Sequence, residues 1–585
     1  MKEKIEKMVA AAIAKLPGIE DHPEVLHEAP AIERTRDHQH GDYACNIAMQ
    51  LAGVLGTKPR ELAQSIVACI PRSNRIEKIE IAGPGFINFR LSPHAFHEEL
   101  KNIVRDGEKY GCNSRAKGKK VLIEYVSANP TGPLHVGHGR HAAYGASVAN
   151  LLAATGHHVR QEYYVNDAGR QMDILTLSVW LRMLEITGIA TPFPSSGYRG
   201  DYIVDIARQA AIAFPDTVKN DKAIEFADLP ADAPQGDADV YLDRFIELAR
   251  NTLGTDTFGS ILRFALDDIL GDIRNDLSEF GALPDEWFSE QSLIDGGAVE
   301  HALDRVAEHG KLYKKDGATW FRATDHGDEK DRVVIRDNGR TTYFASDIAY
   351  HLQKRERGFE LLLDILGADH HGYVARVRAG LEAMGEPPES LEVELVQFVT
   401  LYRGKQKMQM STRSGEFVTL RELRQEVGND AVRFFFVTRS NDQHLDFDLE
   451  LAKSQTNENP VYYVQYAHAR IWSVMRELDA RGHAWSGEAG DDSLHLLTEE
   501  HEQALLQRLT RYPEIVELAA RQRAPQQIVH YLRDLAQEFH TYYNAHRFIV
   551  EDAELRDARL LLINATGQVL QNGLGLIGVS APKSM

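Results

Sequence analysis

The residues with most chemical promise are the two histidines of His135-Val-Gly-His138. They follow a turn-forming string, Ala128-Asn-Pro-Thr-Gly-Pro-Leu134, and before it a strand-type apolar run, Val121-Leu-Ile-Glu-Tyr-Val126. From about His138 to Ala154, small and apolar residues keep a helical rhythm that Gly156 ends. A buried strand feeding a helix through such a turn predicts both imidazoles at the carboxyl edge of a sheet, where open α/β folds bind ligands. The helix start offers unpaired N–H groups and partial positive charge, which suit phosphate. Gly137 has no side chain, so a flat ring such as adenine can lie against the backbone there. Imidazoles beside phosphates can donate to oxygens that gain charge during attack on phosphorus, each lowering the barrier by roughly 2.7–4 kcal/mol. Two plainer readings compete. One is a metal pair, for which no further His, Cys or carboxylate cluster lies nearby; the other is ordinary capping or core histidines.

The elements that must position this site are legible in outline. Strand candidates Val333–Ile335, Leu361–Leu366 and Val393–Leu401 alternate with helical stretches, which indicates a parallel sheet with helices on its faces. The region from about 186 to 315 is largely helical and acidic and reads as an insertion in that sheet. Residues 1–115 form a small mixed α/β unit, with a strand near Ile79–Ile81, the turn Gly83-Pro84-Gly85, and Phe86-Ile-Asn-Phe89. The run Arg115-Ala-Lys-Gly-Lys-Lys120 is either a solvated connector or a nucleic-acid contact. Beyond about 453, Val464, Ala467, His468, Ile471, Met475 and Leu478 share one helical face, as do Ile528, Leu532, Leu535, Phe539 and Tyr542. Gly573 and Gly575 suit the end of the last helix. The expected domains are therefore 1–115, 116–452 and an all-helical 453–585, in an α/β protein.

Composition sets the outer limits. A chain of 585 residues is too long for one core. A net charge of −20 excludes indiscriminate coating of nucleic acid, although a local basic surface is enough to meet one. Cys45, Cys69 and Cys112 match no zinc-ligand spacing and read as buried free thiols of a reducing compartment, the cytoplasm. No run approaches the ~20 apolar residues of a bilayer span, and the N-terminus lacks a secretory pattern.

The whole string from Ala128 to His138 resembles the first nucleotide-binding motif of class I aminoacyl-tRNA synthetases, in the form typical of bacterial arginyl enzymes. His40-Gly-Asp-Tyr-Ala-Cys-Asn-Ile-Ala48 and Gly83-Pro-Gly-Phe-Ile-Asn88 resemble that family's additional N-terminal domain, which contacts the outer corner of tRNA. Tyr163-Tyr-Val-Asn-Asp-Ala-Gly-Arg-Gln171 is similar to its segment after the first crossover. Gln465-Tyr-Ala-His-Ala-Arg470 and Leu576-Ile-Gly-Val-Ser-Ala-Pro582 resemble its helical anticodon-binding domain. The resemblance implies a Rossmann-type catalytic domain, ATP with Mg²⁺, L-arginine and tRNA(Arg) as partners, adenylate formation that needs tRNA, and a monomer with no structural metal. It implies ATP contacts from Pro133, His135, Gly137, His138, Met410 and Ser411. It places Glu124, Ser127, Ala128, Asn129, His138, Glu290, Tyr343 and Asp347 along the arginine pocket. Asp347 and Glu290 suit the guanidinium, whose planar fork favours carboxylates, and Asn129 with Ser127 suits the α-amino or carboxylate end. Taken singly, most of the 86 acids are solvated surface charges, but Glu124 sits in an apolar strand and needs a partner. The family also uses a glutamine near the end of a later strand, where this chain reads Gly367-Ala-Asp-His-His-Gly-Tyr-Val374.

The family's second signature, Lys-Met-Ser-Lys-Ser, is altered here to Gly404-Lys-Gln-Lys-Met-Gln-Met-Ser-Thr-Arg-Ser-Gly415. Aligning Met410-Ser411 puts Gln409 and Thr412 where the lysines belong. Lys405, Lys407 or Arg413 is then expected to supply the missing cation, the plain reading being solvated loop charges. Two other functions fit parts of the pattern: a small-molecule adenylyltransferase, and a catalytically silent synthetase-like binder.

Overall fold

The computed structural model describes every residue except 27–28, 36, 219–225, 227, 371, 409–417 and 486–489. In its central unit, strand β1 (Lys120–Glu124) leads to helix α1 (Val136–Ala154), then β2 (His158–Val165) and α2 (Arg170–Ile186). Strand β3 (Glu286–Ser289) follows, then α3 (Glu290–Asp295), α4 (Tyr343–Glu356), β4 (Leu361–Gly367), α5 (Tyr373–Ala383) and β5 (Leu391–Val396). The five strands are all parallel, in the order β5-β4-β1-β2-β3. The chain winds one way from β1 through β2 to β3 and the other way through β4 to β5. The switch point therefore lies between β1 and β4, where a crevice opens at the strand ends.

Strand alternation divides the apolar residues between two layers. Val121, Ile123, Leu361 and Leu363 join the core that includes α1, whereas Leu122 and Leu362 join a second core with residues of α4 and α5. Register also sets four acids side by side: Asp364 pairs with Glu124, Glu124 with Glu162, and Glu162 with Glu286. Helix α4 and its C-cap residue Arg357 answer this row with cations. Lys354 bridges Glu124 and Asp364 at 2.6 and 2.9 Å, while Arg357 meets both Glu162, at 2.7 Å, and Glu286. The partner that Glu124 needed is thus a buried lysine.

Several expected elements are placed differently. Val333–Ile335 belongs to Arg332–Ile335, one edge of a separate antiparallel sheet with Ala318–Phe321 and Leu312–Lys315. The last two are joined by a tight turn at Asp316-Gly317, both with positive φ (51° and 78°), a turn that selects a hairpin over a parallel crossover. The apolar run Val393–Leu401 divides: β5 stops at Val396, and Val399–Arg403 pairs instead with Leu445–Asp448 and Gln406–Lys407. The expected insertion at 186–315 contains β3, which pairs in parallel with β2. Its sequence, Glu-Trp-Phe-Ser, is too short to show a period. Helices Asp201–Ala213, Ala238–Leu253 and Thr255–Glu279 fill the connection from α2 to β3.

Residues near the N-terminus form a four-stranded antiparallel sheet flanked by helices. Described residues beyond 453 contain helices and no strand. Gly573 lies inside the last helix, Ala553–Leu576, rather than ending it; a Cβ there would stand 2.6 Å from Leu532. The cysteines are free, but only Cys45 is buried. Arg115, in the expected basic connector, pairs with Glu6 and Glu517 at 2.8 and 3.2 Å. No described helix is long and apolar enough to cross a membrane.

Candidate active site

After β1 the chain turns through Val126 and Ser127, both with positive φ (69° and 39°). That conformation is unusual for any side chain and rare for a β-branched one, so the surroundings must impose it. They do so through hydrogen bonds. The Tyr164 amide donates to Ser127 Oγ (3.0 Å), the Tyr163 hydroxyl to the Ala128 carbonyl (2.8 Å), and the Tyr202 hydroxyl to the Thr131 carbonyl (2.6 Å). This turn brings Ser127, Ala128 and Asn129 to the wall of a cavity of about 480 Å³ at the switch point.

His135 is the N-cap of α1. Its Nδ1 accepts from the amides of Gly137 (3.0 Å) and His138 (3.4 Å), and His138 Nδ1 accepts from the His135 amide (3.3 Å). The rings stack with centroids 3.6 Å apart. A Cβ on Gly137 would meet the His135 ring at 2.9 Å, so the glycine makes room for the cap itself. The capping reading of these histidines is therefore correct and also sets their chemistry. With Nδ1 accepting, the proton of each neutral ring resides on Nε2. Burial lowers the pKa of His135 and lowers that of His138 well below the usual value, keeping both neutral. His141, one turn further on, also lines the cavity and is held down to about 4, chiefly by burial.

Of the expected site residues, Glu124, Ser127, Ala128, Asn129, His135, Gly137, His138 and Asp347 line this cavity. Pro133, Tyr343, Glu290, Lys405 and Lys407 do not. Tyr343, at the start of α4, is 68% exposed. Glu290 is nonetheless electrostatically close to Asp347. Burial, and then Asp347 and Asp167, push its carboxyl up to about 7. Burial likewise raises Asp347 to about 6, against the opposing influence of His351 and Arg376. The Tyr164 hydroxyl, near both acids, is raised by burial and by those same carboxylates. Sequence reasoning missed His141, Tyr164, Tyr373, Asp364 and Gln397 on the cavity wall. His141 was within reach as the next turn of the His135–His138 face. Gln397 ends the run after β5, a glutamine at a strand end beside the site.

Family models match nearly the whole chain: "Arginyl tRNA synthetase N terminal domain" over 3–91, "tRNA synthetases class I (R), catalytic domain" over 99–187 and 289–460, and "DALR anticodon binding domain" over 464–585. An arginine–tRNA ligase of Thioalkalivibrio sulfidiphilus is 55% identical over 586 residues, covering 100% of both chains. The chain belongs to the arginyl-tRNA synthetase family. Another arginine–tRNA ligase, from Halorhodospira halophila, is 54% identical over 100% of both chains. A structure described as a putative arginyl-tRNA synthetase from Campylobacter jejuni matches with a TM-score of 0.72 at 32% identity, covering 85% of this chain and all of that one. The Thermus thermophilus arginyl-tRNA synthetase shares the fold, with a TM-score of 0.73 at 23% identity over 100% of both chains.

Within this synthetase family the second signature is the point of departure, and its flanks are well defined. The Val136 amide donates to Val418 (3.3 Å) and the Leu420 amide to Leu134 (2.8 Å), so the segment's far end is stitched to the start of α1. Thr419 and Glu422 form a capping box on helix Leu420–Val427. On the near side Gln406–Lys407 is an exposed strand paired to Val399–Arg403. Met410, Ser411 and Arg413 lie outside the described residues.

Proposed function

We propose that the chain activates arginine with ATP and transfers it to tRNA(Arg). The observation carrying this reading is that one switch-point cavity joins two chemistries. On one side a helix start presents two imidazoles locked as Nε2–H donors; on the other stands a half-buried carboxylate, Asp347, whose charge reaches the buried Glu290. The first suits a triphosphate and the second a guanidinium.

In the first step the carboxylate of arginine attacks the α-phosphorus of ATP, forming a P–O bond as the bond to pyrophosphate breaks. His135 and His138 stabilise the oxygens that gain charge, and no protein nucleophile is required. In the second, a terminal ribose hydroxyl of tRNA attacks the activated carbonyl and AMP leaves. Asp347 and Glu290 take the guanidinium, with Tyr343 along the same pocket, and Ser127 and Asn129 orient the reacting end. Pro133 and Gly137, with Met410 and Ser411, serve the nucleotide, and Lys405, Lys407 or Arg413 supplies the cation of the altered signature. Mg²⁺ would be carried by the triphosphate; no group of three or more metal-type donors is arranged together among the described residues. Residues 1–115 would meet the outer corner of tRNA and 453–585 its anticodon. The test is arginine-dependent exchange of pyrophosphate into ATP, with and without tRNA. Exchange with arginine supports the reading. None under either condition, or equal exchange with another amino acid, overturns it.

A further inference from the structure

Three walls of the cavity floor enclose a side chain that is not part of the cavity wall. Glu124 and Asp364 are register neighbours on β1 and β4, and both line the cavity, as does Tyr350. Between them lies Lys354, wholly buried, its Nζ 2.6 Å from Glu124 Oε2, 2.9 Å from Asp364 Oδ1 and 4.1 Å from the Tyr350 ring centroid. The other oxygen of Asp364 is taken by His351 Nε2 at 2.7 Å. Two carboxylates and an aromatic face make a receptor for an alkylammonium, a compact charge with three donors. The protein fills that receptor with its own lysine.

We propose that Lys354 is a positioning residue for substrate selection: by occupying the Glu124–Asp364–Tyr350 cage from behind, it denies that cage to amino acids with an ammonium side chain. It acts through Glu124 and Asp364 and touches no substrate. Asp347, on the cavity wall and outside this cage, is left to meet an incoming cation, with Glu290 electrostatically close to it, and a planar guanidinium makes paired hydrogen bonds to a carboxylate that a point charge cannot match. This inference rests on the arginine reading above.

The test compares Lys354→Ala, which empties the cage where a longer side chain would still fill it, with Lys354→Ala/Asp364→Asn. The double variant restores the net charge of the group, since two acids and one lysine sum to −1, as does Glu124 alone. Pyrophosphate exchange with arginine, ornithine and lysine is measured with tRNA present, alongside the native enzyme. The proposal expects the ornithine-to-arginine or lysine-to-arginine ratio of kcat/KM to rise by about tenfold or more, with KM for arginine moving more than kcat. Equal loss toward all three amino acids, or an unchanged ratio in the single variant, overturns it, as does an equally large rise in the double variant, which keeps only one cage carboxylate. So does failure of both variants to fold, which would make the lysine's role that of the fold alone. A native enzyme that shows no exchange with arginine would instead defeat the functional reading.

Discussion

At the scale of single residues, the His135 and His138 rings do two jobs with their two nitrogens. Each Nδ1 caps backbone amides, and that fixes each Nε2 as a donor. Replacing His138 by Asn should lower kcat roughly 10²–10³-fold with little change in KM for arginine, as loss of one transition-state donor does. Steady-state exchange kinetics check this. The carboxylates predict a pH dependence with a definite sign. Glu290 and Asp347 are raised to about 7 and about 6, and a guanidinium needs them ionised. KM for arginine should therefore rise as pH falls through these values, and Glu290→Gln should remove the upper part of that rise. The same shifts act on the empty fold. Carboxyls whose pKa folding raises favour the folded state below their unfolded value and lose that contribution as pH rises through the folded one. Arginine should thus raise the melting temperature more at about pH 8 than at about pH 5.5, a difference scanning calorimetry reads directly.

At the scale of elements, α1 must approach its neighbours closely. A Cβ on Gly145 would stand 2.5 Å from the Tyr125 ring, and one on Gly139 would stand 2.7 Å from Leu420. Arg140, almost wholly buried, donates to the carbonyls of Gln397, Ser440 and Gln443 at 2.7–2.9 Å and so pins α1 to the segment after β5. Burial brings its pKa down to about 10, where it still carries its charge. Arg140→Met should destabilise the protein by at least about 1.5–3 kcal/mol, one charged hydrogen bond's worth, by denaturant unfolding. The strand, turn and helix around His135 were legible because each has its own local signature: an apolar run, a proline-glycine turn, a helical period. The division of Val393–Leu401 was not, because an apolar run carries no mark of which sheet it joins. The cap formed by His135 was open to the sequence only as one alternative beside core or catalytic histidines, since histidine is not among the usual capping residues and nothing local chose between them. The Lys354 cage was invisible because it depends on register across strands far apart in sequence. Glu124 alone announced that a partner must exist.

At the scale of the molecule, the outer domains are tied to each other and to the catalytic sheet. Arg34 and Tyr43, on the N-terminal sheet, both meet Glu514 of helix Tyr512–Arg521, with Arg34 at 2.8 Å. The Tyr144 hydroxyl of α1 donates to the Arg523 carbonyl at 2.7 Å, and Arg523 pairs with Glu392 of β5 at 2.9 Å. Arg433, fully buried, donates to the carbonyls of Phe280, Gly281 and Ile577, which joins three regions at one side chain. Glu514→Ala removes the acceptor shared by Arg34 and Tyr43. It should raise KM for tRNA in aminoacylation while leaving KM for arginine unchanged, and expose the junction to limited proteolysis. The identity of the amino acid decides between the possible functions of this cavity, and the most direct measurement is charging of total tRNA with each of the twenty amino acids in turn. Arginine alone should become esterified to tRNA; stable charging with any other amino acid, or none with arginine, would contradict the account.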